Sequence, residues 1–108
     1  MLTGDLLRGH TDAIILKLLN IKDSYGYELN NQISILTNNN FTLTEATLYT
    51  TFKRLEKNGY IVSYWLDGIN TKRKYYSITK SGKEYLASHI EAWDDAQNII
   101  NKILKETN

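Results

Sequence analysis

The chain has 108 residues, enough for one domain with a modest core. It is 42% hydrophobic and 23% charged, contains neither cysteine nor proline, and has a formal net charge of +1. No apolar run reaches membrane-spanning length, residues 1–20 do not read as a secretory signal, and the lack of thiols excludes disulfides, thiolate nucleophiles and thiolate metal sites; a cytoplasmic protein is expected.

Residues 5–20 predict a helix that is apolar on two sides. Leu7, Ile14 and Leu18 share one face with Ile15 beside them, and Leu6, Gly9, Ala13 and Leu16 lie on another. A helix apolar on two faces is buried on two sides, so the second face is a candidate for a partner subunit. Asp23 or Ser24 is placed to cap a second helix running to about Thr37, with a stripe at Leu29, Ile33 and Leu36. Asn38, Asn39 and Asn40 then form a loop. A third helix is expected from about Thr44 to Asn58. Thr44 is its natural N-cap, with a Thr42/Glu45 capping box as the alternative, and Gly59 is its C′ glycine. Leu48, Phe52 and Leu55 make its apolar face.

Residues 60–66 read as a strand, Asp67-Gly68 opens a turn that continues through Asn70 and Thr71, and residues 73–79 return. Lys72, Arg73 and Lys74 thus flank the hairpin tip. The last helix spans about Lys80 to Lys105, capped by Thr79 or by a Ser81/Glu84 box. Leu86, Ile90, Trp93, Gln97, Ile100 and Leu104 form a heptad seam with one polar member, and Ala92, Ala96, Ile99 and Ile103 add a second stripe. So wide a seam again calls for a partner. The order of elements is mainly α with a small β-hairpin: a winged helix–turn–helix over 1–79, whose first helix also serves dimerisation, and a long C-terminal dimerisation helix over 80–108, in one compact unit.

The charge distribution and the third helix point to double-stranded operator DNA. Residues 44–79 hold six Lys/Arg against three Asp/Glu, whereas residues 80–108 hold four against five, so the positive patch is central. Opposite the apolar face of helix three lie Ala46, Thr50, Lys53 and Lys57, flanked by Thr47, Tyr49 and Arg54. Small residues allow close approach to a major groove, hydroxyls reach base edges or phosphates, and cations meet the backbone. The basic wing at Lys72, Arg73 and Lys74 would lie beside that groove. Tyr25 and Tyr27 open the second helix, where free N–H groups favour phosphate. The two histidines, His10 and His89, sit in no motif and read as helix-surface residues, so neither an enzyme, a metal site nor a cofactor is expected. The competing reading, a winged-helix module for protein–protein contact, leaves the cations around one groove-sized face without a purpose.

Four motifs, Tyr25-Gly26-Tyr27-Glu28-Leu29, Ala46-Thr47-Leu48-Tyr49, Arg54 through Ile61, and Arg73 through Thr79, together resemble the PadR family of transcriptional regulators. The resemblance spans nearly the whole chain in order. The run from Leu43 to Lys57, with Ser63-Tyr64-Trp65, is similar to the compact, multidrug-sensing branch of that family. It implies a homodimeric repressor in which the last helix packs on the partner's first and last helices. It also implies a flat pore where one tryptophan per chain stacks on planar aromatic, drug-like molecules. The matching tryptophan is Trp93, and Leu6, Gly9, Ala13, Ile90 and Ile100 match positions lining the pore. An acidic residue of that branch, four positions after the tryptophan, is Gln97 here. Asp12, at a position that is an amide in that branch, is the candidate to restore negative charge.

Overall fold

In a computed structural model, which describes residues 7–69 and 71–106, the elements run α1 (Thr11–Ile21), α2 (Gly26–Leu36), α3 (Glu45–Lys57), β1 (Ile61–Gly68), β2 (Thr71–Ile78) and α4 (Lys80–Lys105). Among the described residues these four helices and a two-stranded antiparallel hairpin make a mainly α winged helix.

The predicted first helix is interrupted between Leu7, which is helical, and Thr11. Gly9 has φ 90°, a left-handed conformation that does not continue a helix, and α1 begins only after His10, its N-cap. Nor is its second face spare. Ile15, Leu16 and Leu19 are fully buried against the chain's own α3, β2 and α4, so Leu16 is core, not interface.

The N-cap of α2 is Tyr25, one residue beyond the expected Ser24. Ser24 is drawn away because it bridges β2. Its N–H donates to Tyr76 O at 3.2 Å and its carbonyl accepts from Tyr76 N at 2.8 Å, which gives the hairpin a one-residue third strand. Leu29 and Ile33 are buried as expected, but Leu36 is 67% exposed. The connection to α3 turns through Asn38 and Asn39, with φ 52° and 64°, at residues whose side chains tolerate that region. Asn30 clamps its far end: its amide donates to Leu43 O at 2.7 Å and accepts from Leu43 N at 2.8 Å.

In α3 the Thr44 hydroxyl accepts from Thr47 N at 3.1 Å, so the Thr42/Glu45 box is not used. Leu48, Phe52 and Leu55 are buried, together with Thr51. Gly59 ends the helix with φ 76°. Phe52 stacks on Tyr76 of β2 with ring centroids 3.9 Å apart, which seats the hairpin on α3.

The Thr79 hydroxyl caps α4 by accepting from Gly82 N at 3.1 Å, while Ser81 bonds Gly59 O instead of forming a box with Glu84. A Cβ on Gly82 would lie 2.2 Å from Tyr60 O, so only glycine lets α4 cross the β1 entry this closely. At 1.5 Å per residue the 26 residues of α4 reach about 39 Å. Leu86 sits in the core, but Ile99, Ile100, Ile103 and Leu104 are all exposed, an apolar face that the other described residues do not cover.

Candidate nucleic-acid interface

The helical period that buries Leu48, Phe52 and Leu55 turns Ala46, Thr47, Tyr49, Thr50, Lys53, Arg54 and Lys57 to the surface. They do not all project alike. Lys53 lies over the Tyr49 ring, 4.7 Å from its centroid, close enough for a cation–π contact. Arg54 turns back to α1. Its Nε donates to both carboxylate oxygens of Asp12, at 3.2 and 3.1 Å, and a terminal nitrogen completes a forked pair. The hydrogen bond to Asp12 raises the Arg54 pKa above its usual value. Arg54 is therefore a strut between α1 and α3, not a cation directed outward. Asp12, expected to supply charge to a ligand pore, is the other half of the strut and faces α3.

The wing also differs from its expected form. The strands extend to Gly68 and Thr71, so Lys72 lies within β2 together with Arg73 and Lys74, which the sequence already places in the return strand. Strand alternation then splits them between two faces. Lys74 pairs across from Trp65, and Lys72 from Asp67, on the face continuous with the core. There Lys74 sits 3.7 Å from Glu56 of α3. Arg73 takes the opposite face, over the Tyr25 ring at 4.7 Å. On that outer face Tyr25, Tyr75 and Tyr64 form an aromatic row with centroid spacings of 5.2 and 5.9 Å. The Tyr64 hydroxyl donates to Asp23 at 2.6 Å, and this bond pushes its pKa up to about 12. Tyr27, in the first turn of α2, is 77% exposed. Between it and α3 runs a groove of about 830 Å³ lined in part by Tyr27, Tyr49 and Lys74.

A second, almost wholly apolar groove of about 470 Å³ lies between the start of α1 and the middle of α4. Of the expected pore residues it brings together Ala13, Ile90 and Trp93. Gly9, Asp12, Gln97 and Ile100 do not line it, and Leu6 falls outside the described residues. His10 and His89, read from the sequence as unconnected surface residues, meet at this groove with ring nitrogens 3.0 Å apart. No sequence signal links two histidines 79 positions apart.

The family model for the PadR-like transcriptional regulators matches residues 15–88. The chain belongs to the PadR-like family. This PadR-like chain is 45% identical to a transcriptional regulator of Clostridium thermocellum whose structure is solved, with 94% of this chain and 100% of that one covered and a TM-score of 0.89. A PadR family regulator of Clostridium difficile is 33% identical, with 89% and 99% covered and a TM-score of 0.76. A Lysinibacillus sphaericus protein named only "Uncharacterized protein X" is 46% identical over 106 residues, 97% of each chain. PadR-like proteins are transcriptional regulators, not enzymes. Among the described residues no three His, Cys, Asp or Glu side chains cluster as a metal site, and no described helix is long and apolar enough to cross a membrane.

Proposed function

We propose that this chain is a ligand-responsive repressor that binds a pseudo-palindromic operator as a homodimer. The observation that carries the DNA-binding reading is the outer face of α3, where Ala46, Thr50, Lys53 and Lys57 form one uninterrupted exposed row. In this reading α3 enters the major groove. Thr47, Tyr49 and Thr50 reach base edges or phosphates, and Lys53 and Lys57 neutralise phosphates. Tyr25 and Tyr27 meet the backbone at the start of α2. On the wing Lys72 is the main phosphate contact, because Lys74 and Arg73 are partly engaged by Glu56 and Tyr25. Arg54 holds the angle between α1 and α3 through Asp12 and contributes charge only secondarily. Two copies would read successive major grooves about 34 Å apart. Support for the dimer is the uncovered apolar face of α4 at Ile99, Ile100, Ile103 and Leu104, since exposed apolar surface of this extent marks an association site.

The sensing half of the proposal rests on the Trp93 groove. Its lining is apolar, Trp93 is 42% exposed there, and a half-exposed indole beside an apolar slot suits a planar aromatic ligand. A ligand that favours one arrangement of the two α3 helices lowers operator affinity by population shift. With Asp12 held by Arg54 and Gln97 off the groove, the only charged side chain lining it among the described residues is Lys17, so no preference for cations is proposed. Titrating a planar dye against tryptophan emission tests the site. Trp93→Ala is expected to abolish the response and Trp65→Ala to keep it, and normal dye binding by Trp93→Ala refutes the site. DNA binding is tested separately, by affinity for a duplex selected from a random pool.

A further inference from the structure

His10 Nδ1 and His89 Nε2 lie 3.0 Å apart, with the two rings almost perpendicular at 85°. One residue precedes α1 and the other is midway along α4, so packing of those helices fixes their separation. Each ring is also held from a second side. His10 meets Trp93 edge-on, with centroids 4.6 Å apart, and His89 stacks on Tyr85 at 6.4 Å. Both rings line the apolar groove.

Two imidazole nitrogens bound side by side to one metal ion, each about 2.0–2.1 Å from it, are separated by about 2.9–3.4 Å for angles between square and tetrahedral. The observed separation lies in that interval. As a hydrogen bond the contact uses one N–H and one lone pair. As a chelate it uses two lone pairs, which requires the donor ring to move its proton to its other nitrogen and both rings to turn until their lone pairs converge on an ion lying off the line between the nitrogens. Neither ring loses a proton overall.

We propose that His10 and His89 form a two-nitrogen site for a divalent transition-metal ion of the copper, nickel and zinc group. Imidazole donors select these ions over magnesium or calcium. Among the described residues no third His, Cys, Asp or Glu joins the pair, so the ion keeps open positions on the groove side, filled by water. The site stands independently of the proposed aromatic ligand, and either can fail without the other.

Cu²⁺ is the probe, because it heads the affinity order for nitrogen sites and quenches a nearby indole. In Trp65→Phe protein Trp93 is the sole tryptophan. Copper sulfate is expected to quench its emission saturably at one ion per chain, with full reversal by EDTA and a weaker response to Ni²⁺. Either His10→Gln or His89→Gln is expected to lose the saturable quench while keeping its far-ultraviolet circular dichroism. Should a variant lose its fold, the electron paramagnetic resonance spectrum of the copper-loaded Trp65→Phe protein decides: coupling to two imidazole nitrogens supports the site. Oxygen or backbone-amide coordination, no saturable binding, or an equal quench in the double glutamine variant overturns it.

Discussion

Replacing Lys53 and Lys57 by alanine is expected to change how DNA binding depends on salt, whereas replacing Arg54, one position from Lys53, is expected to change stability. The distinction comes from what each side chain touches. Lys53 rests on Tyr49 and has no carboxylate partner among the described residues, and Lys57 is exposed at the last turn of α3. Arg54 is committed to Asp12. Each phosphate neutralised contributes about −0.9 to the slope of log affinity against log salt, so losing two cations per chain removes about 1.8, or about 3.6 for a dimer. Between 50 and 200 mM KCl, wild type should lose about 150-fold more affinity than the double variant. Arg54→Ala should leave the slope nearly unchanged. Side chains 46% and 20% exposed make the Arg54–Asp12 pair a partly solvated one, so its loss costs about 1 kcal/mol after allowing for screening. In a domain of this size that lowers Tm by about 4–8 °C. The assay is fluorescence anisotropy of a labelled duplex over a KCl series, with thermal melts of the same proteins. An unchanged slope in the lysine variant refutes the placement of α3. A slope change in Arg54→Ala equal to that of Lys53→Ala, without a change in Tm, refutes the strut.

Gly82→Ala drives a Cβ into Tyr60 O and is expected to cost about 3 kcal/mol or more, at the upper end of overpacking effects; a melt within 2 °C of wild type at equal protein concentration argues against the close crossing. Asn30→Ala leaves the Leu43 N–H and C=O without their partner beside a buried side chain, and a loss of about 1–3 kcal/mol in urea unfolding is expected. Tyr64 and Tyr76 are both pushed up to about 12, the first by its bond to Asp23 and the second by burial. Because the folded values lie above the unfolded one near 10, their contribution to stability is complete below pH 10 and is lost as pH rises toward 12. Ultraviolet titration should show a late-ionising phase from Tyr64 and Tyr76, and Tyr64→Phe should remove the Tyr64 part of it.

Much of the fold is written locally. Thr44, Gly59 and Thr79 mark their helix ends because capping depends on a side chain and the backbone within three residues of it. The buried and exposed faces of α3 follow from its own period. Reading fails where a neighbour elsewhere in the chain takes over a residue. Ser24 pairs with β2 and moves the α2 cap to Tyr25. Strand pairing carries β2 out to Thr71, so that Lys72, Arg73 and Lys74 alternate between faces, whereas Gly9 interrupts the first helical pattern through its own left-handed backbone.

The sequence by itself determined the order of elements, the family and the outward row of α3, because periodicity and capping are short-range and repeat along one element. Tertiary structure alone decided that Asp12 binds Arg54, that Gly82 must admit Tyr60 O, and that His10 meets His89 beside Trp93. Those pairs join residues from different elements, and only the packing of the helices sets the distances between them.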